Sequence, residues 1–286
     1  MKKKKKQFQE NPEIEAYLKK AENPNHIPGI YNYCDRWCER CAFTKRCLTY
    51  EGSEEEFKDV KDKGLESTEF WNKLSETYRN TFELIKYISE KQGIDLDTLD
   101  TEEFRKEEET KQKKRDQAYS HPISLEGEAY NKLVDQFFKD EKELLNVKGK
   151  ELVQNAELGI DSDKTYYAAI DINDAIDVIH WYSPQIWVKM MRALSGRFEG
   201  EEWQDENGFP RDSDGSSKVA LIGIDRSIAA WGVLKNHFPE KNDFFLKLLL
   251  HLDKLRRKIE KEFPNARKFI RAGFDEAHLY PEASLM

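Results

Sequence analysis

Apolar residues in this chain recur at three- and four-residue steps over long stretches, and the two-residue alternation of a half-buried strand is scarce. That periodicity commits the chain to helices packed on helices. Pro12 to Glu22 reads as a short helix that Asn11 can cap, with Pro12 suited to its first turn and Pro24 and Pro28-Gly29 ending it. Ser67-Thr68-Glu69-Phe70 opens a long helix that Gly93 stops, and Trp71, Leu74, Tyr78, Phe82, Ile85 and Ile88 form a stripe read as buried. Residues 102–115 carry almost no apolar side chain but hold Glu102/Lys106, Glu107/Lys111 and Glu109/Lys113 at i,i+4, which suits an exposed, projecting helix.

His121-Pro122 interrupts, and the periodicity predicts a second long helix from about Ser124 through Leu125, Ala129, Leu133 and Phe137 to a stop at Gly159. Residues 160–172 read as a connector. A third long helix follows from an Asn173 cap to about Phe198, with a kink expected near Ile179 to Ser183 because Pro184 lacks an amide hydrogen and crowds the preceding turn. Residues 199–217 read as an acidic loop whose Asp and Gly positions miss the calcium-loop pattern. Helices near 216–237 and 240–263 complete the chain. The expected fold class is all-α: a bundle of about five long helices over 61–286, preceded over 1–60 by an N-terminal arm and an irregular segment with all four cysteines.

Composition enters where it excludes. With 36% charged residues the chain is more polar than most, but 34 Phe, Tyr and Trp argue against global disorder. No apolar run reaches 18 residues, so no membrane span is expected, and the basic start lacks the apolar stretch of a secretory signal. The expected location is the cytoplasm. Residues 1–50 carry a net +5 and the remainder −13, so no general nucleic-acid binding is expected and a protein partner stays open.

The four cysteines, Cys34, Cys38, Cys41 and Cys47, fall within fourteen residues at the spacing C-x3-C-x2-C-x5-C. In a reducing cytosol such a cluster points to thiolate ligation of a metal. Structural zinc usually takes two C-x2-C units separated by a longer loop, whereas one C-x2-C unit here is flanked closely on both sides. A [4Fe–4S] cluster is wider than one ion and accepts closely spaced ligands at different corners, so it is favoured over Zn2+. Tyr31, Tyr33, Trp37, Phe43 and Tyr50 can cover the group, and Arg36, Arg40, Lys45 and Arg46 can offset thiolate charge.

Cys38, Cys41 and Cys47 resemble the C-x2-C-x5-C end of the iron–sulfur staple of helicase-nuclease proteins, which implies a four-cysteine [4Fe–4S] cluster. In that family the first ligand lies far upstream, whereas Cys34 is local here. The resemblance spans residues 34–47 and carries cluster type, not activity. Cys34, Cys38 and Cys41 also match the C-x3-C-x2-C spacing of radical S-adenosylmethionine enzymes, but the strands of that family's barrel have no counterpart in this sequence. The flanks, IPGIYNYCDRWCERCAFTKRC, resemble the start of bacterial proteins of unassigned function.

A second candidate site lies in the helical body. Asp177 and His180 share a helix face at i,i+3, Asp225 lies within VALIGIDRSIAAW and His251 within LKLLLHLDKL, with Glu83 and Glu128 on other long helices. Together they suggest a carboxylate–histidine metal or catalytic site. The plainer reading is a paired polar network, for example Asp225 with Lys189 or Arg192. Three functions are therefore expected in order: a metal-cluster protein whose cluster is structural or senses redox state or oxidant, an enzyme with a site in the bundle, and a zinc-stabilised interaction module.

Overall fold

The structure is a computed structural model that describes residues 12–60, 64, 66–96, 101–200 and 211–276. Among the described residues there are nine α-helices and no strand, so the all-α expectation holds. The basic run Lys2 to Lys6 and most of the acidic 199–217 stretch lie outside the described residues. The internal contacts group the chain into residues 1–109 with 271–286, and residues 110–270. This differs from a division at residue 60, because the first long helix and a C-terminal segment belong with the cysteines.

In the first unit, α1 (Pro12–Ala21) and α2 (Leu48–Phe57) flank α3 (Thr68–Gln92). Ser67 caps α3 by accepting the Phe70 amide, and the helix ends at Gly93, as the sequence predicts. The face that α3 turns inward is a different one from the expected stripe. Trp71, Tyr78, Phe82 and Ile85 are exposed, at 52, 62, 69 and 46%. The inward positions step by seven residues instead: Phe70 meets Phe57, Thr77 donates to Glu56, and Leu84 shares a groove with Ile14 and Leu48. Buried Tyr87 donates to Glu15 of α1 at 2.6 Å, and Lys91 pairs with the same carboxylate. The two short partners can cover only one side of a 25-residue helix.

Helix α4 (Glu102–Ser120) is exposed along most of its length and carries the Glu102–Lys106 pair. In the second unit follow α5 (Pro122–Asp140), α6 (Lys142–Glu157), α7 (Ser162–Glu199), α8 (Asp212–His237) and α9 (Asn242–Glu262). The single helix expected over 124–158 is two helices, because Glu141 leaves helical geometry (φ −99°, ψ 15°) and is held by Lys241 at 2.6 Å. The expected connector over 160–172 is mostly helix. Only Leu158 to Asp161 turn the chain, and Thr165 donates back to the Ile160 carbonyl at 3.1 Å. Helix α7 runs through Pro184, whose ring is on the exposed side, so the missing amide bond falls where water can reach the orphaned carbonyl.

Helix α7 is the spine of the second unit, packed by α5, α6 and α8. Small residues Ser216, Ala220, Gly223, Ser227 and Ala230 recur along α8 at three- and four-residue steps, and all five are buried. They let α7 and α8 approach closely. A Cβ at Gly223 would stand 3.0 Å from Tyr182 and 3.1 Å from Ile186. Asp212 at the start of α8 pairs with Arg192, so the two helices run antiparallel. Across the other face, Tyr130, Phe137, Trp231 and Phe245 form an aromatic core, with Phe137 5.2 Å edge-on from Trp231. Helix α6 lies beside the first half of α7, leaving a 420 Å³ groove lined by Leu152, Val153, Tyr166 and Ile172.

Candidate metal centre

The cysteine segment has few apolar residues of helical period, and its backbone is built from turns. Ile27 donates to the Arg46 carbonyl at 3.0 Å, and the Arg46 guanidinium donates to the Asn25 carbonyl at 3.0 Å. These two bonds close a loop over residues 25–46 and bring Cys47 back beside its start. Within the loop, Asp35 accepts the Trp37 amide at 3.3 Å, and single 3-10 turns span Cys38–Arg40 and Thr44–Arg46. Arg36 takes the left-handed backbone region at φ 59°, an uncommon position for a non-glycine residue.

The wrap places Cys34, Cys38, Cys41 and Cys47 around one small cavity of about 30 Å³. All four are free and partly exposed. Tyr31, Trp37, Phe43 and Tyr50 also line the cavity, so the expected aromatic cover is present for these four. Arg40 stacks over Trp37 at 4.0 Å, and Arg36 and Lys45 stand exposed on the same segment.

The thiols act on one another. Burial pushes the Cys38 thiol up, and Cys34, Cys41 and Cys47 then add to the rise because a Cys38 thiolate would face their charge. Burial likewise raises Cys41, while the Phe43 amide, 3.4 Å from its sulfur, pulls the other way. An amide aimed at sulfur stabilises thiolate character and is one of the levers that tune thiolate-ligated clusters. No three His, Cys, Asp or Glu side chains among the described residues are spaced to hold a metal ion.

One wall of the cavity comes from a part of the chain that sequence reading missed. Phe274 lines it, and Ala272 and Phe274 pack with Ile27, Ile30 and Phe43 in the same apolar cluster as Cys41 and Cys47. Nothing in the spacing of residues 271–276 marks them as cluster residues.

The second candidate set is placed otherwise. Asp177 and His180 are exposed on α7, with Asp177 near Asn173 at 3.4 Å and His180 against the Phe138 ring at 4.1 Å. Asp225 lies between Arg256, at 3.4 Å, and Arg267, at 2.6 Å. His251 contacts the Glu126 carbonyl at 3.1 Å. Glu83 is exposed, and Glu128 pairs with Lys132 at 2.7 Å. Asp225 therefore sits in a paired network, with arginines from α9 and its C-terminal extension in place of Lys189 or Arg192. No helix among the described residues is long and apolar enough to cross a membrane. The chain matches no protein-family model, no curated protein and no solved structure.

Proposed function

We propose that Cys34, Cys38, Cys41 and Cys47 hold a metal cluster, [4Fe–4S] before Zn2+, and that the cluster fixes the N-terminal segment and reports on redox state or oxidant. The observation that carries this reading is that all four cysteines of the chain line one cavity with an aromatic wall. Burial raises the proton affinity of Cys38, and the three neighbouring cysteines raise it further, so a cation or cationic cluster is needed to take up thiolate charge there. The exposed Arg36, Arg40 and Lys45 lower the cost of the net negative charge that four thiolates bring. Free thiols in this array suit a reducing compartment such as the cytosol.

Anaerobic purification with iron, acid-labile sulfide and zinc measured on one sample tests the proposal. Brown protein with iron and sulfide in equal amounts is expected. Colourless protein with one zinc would make the site a zinc knuckle. Protein that takes up neither metal, or keeps it when Cys41 and Cys47 are both serine, would overturn the reading.

A further inference from the structure

We infer that the C-terminal segment Arg271–Asp275 is the closing wall of the cysteine cavity, so that holding the cluster and holding this segment in place are one linked equilibrium. The inference rests on the cluster reading and adds the element that regulates access to it.

Four observations place the segment. Phe274 meets the buried Phe43 ring edge-on at 5.1 Å and lines the cavity together with all four cysteines. Ala272 and Phe274 belong to the apolar cluster that contains Cys41 and Cys47, so they share their desolvated surroundings. Gly273 adopts φ +76°, and a Cβ there would come within 2.9 Å of Ile30 and 3.2 Å of Ile27. The backbone thus lies flat against the two isoleucines, at a position that only glycine fills without displacement. Finally, the segment folds on itself. Asp275 accepts the Arg271 amide at 2.9 Å and the Arg271 guanidinium at 3.1 Å, with both side chains largely covered, and Arg271 stacks over Phe274 at 5.0 Å.

The segment therefore carries its own turn and docks as a unit through one ring and one glycine. At the cavity it presents apolar contact, through Ala272, Gly273 and Phe274. Such a contact is sensitive to the shape of the surface beneath it. Cys41 and Cys47 would be held in place by a bound cluster, and their position would then set the surface that Phe274 meets. Without the cluster the surface is free to relax. Linkage makes the effect reciprocal: whatever loosens the segment must also weaken the affinity for the cluster, by the same factor.

The test uses the full chain. Amide hydrogen exchange of residues 269–276 is compared between anaerobically purified protein and the same sample stripped of metal, and iron release to a chelator is timed for wild type, Phe274→Ala, Phe274→Leu and Gly273→Ala. Stripping is expected to speed exchange of 271–275 while helices of residues 110–270 exchange as before. Phe274→Ala and Gly273→Ala are expected to speed iron release on the order of tenfold, and Phe274→Leu by much less. Equal exchange with and without metal, or equal release from all four proteins, would overturn the inference and leave the cluster intact. A chain that takes up no metal would overturn the cluster reading itself, and this inference with it.

Discussion

Trp231 of α8 donates its indole N–H to the Tyr130 hydroxyl of α5 at 3.0 Å, and both side chains are fully buried. The bond joins two helices across the aromatic core and leaves the phenol no route to water. Burial pushes the Tyr130 pKa up from 10.0 to about 12. In the unfolded chain the phenol ionises near its ordinary value, so between pH 10 and 12 the folded state holds a proton that the unfolded state has lost. Stability accordingly falls as pH rises through that window, by roughly 3 kcal/mol in total. Tyr130→Phe removes this alkaline loss but strands the indole N–H, costing about 1–3 kcal/mol near neutral pH. Urea titrations at pH 8 and pH 11 check both parts, and equal pH dependence in the two proteins would contradict the assignment.

Cys41→Ser is expected to abolish bound metal as a unit and loosen residues 29–47, with helical circular dichroism nearly unchanged. Helices α5 to α9 draw on apolar faces of their own, and no cysteine lies in any of the nine helices among the described residues. Metal loading of the wild type should fall on acidification, since burial and neighbouring thiols raise the proton affinity of Cys38. Metal content read beside the dichroism at pH 6 and pH 8 settles this, and global unfolding of the variant would contradict the separation.

Asp225→Asn tests the paired-network account. Arg267 gains proton affinity first from its hydrogen bond to Asp225, and Arg256 also reaches the same carboxylate. All three side chains are about a third exposed or more, so water and salt weaken the pairs. The expected cost is about 1 kcal/mol, shrinking as salt rises. A melt showing stabilisation, together with loss of a bound metal, would instead restore the second-site reading.

Phe82→Ala and Leu252→Ala should separate two helices that look alike in sequence. Phe82 is 69% exposed on α3, while Leu252 is fully buried on α9. The first substitution is expected to cost less than about 0.5 kcal/mol, and the second about 2–5 kcal/mol. Chemical denaturation of both variants provides the comparison.

That pair also shows where sequence reading stops. The periodicity of α3 and its Ser67 and Gly93 ends were legible because they depend on nearby residues alone. Which side of the helix is covered depends on how much partner is available, and α1 and α2 supply only ten residues each. The break at Glu141 has no proline or glycine to announce it, and the pairing with Lys241 that accompanies it is a tertiary contact. The start of α7 at Ser162 was hidden by polar residues that sit comfortably on an exposed helical face. Within the candidate site, the grouping of the cysteines and of the neighbouring aromatics around one cavity was legible, since both are local. Phe274 comes from the far end of the chain, where only folding brings it to Phe43.

The mismatch in length along the spine sets an order of opening. Helix α7 has 38 residues and α8 has 26, which at 1.5 Å per residue makes them about 57 and 39 Å long. With Asp212 against Arg192 and Gly223 against Tyr182 and Ile186, α8 runs out about two turns before α7 begins. There Tyr166, Tyr167 and Ile170 are exposed, and α6 flanks the spine across a groove. The molecule can therefore lose α6 and the first turns of α7 while the α7–α8 contact and the Trp231 core stay closed. Unfolding of this unit has a first stage that the aromatic core does not resist.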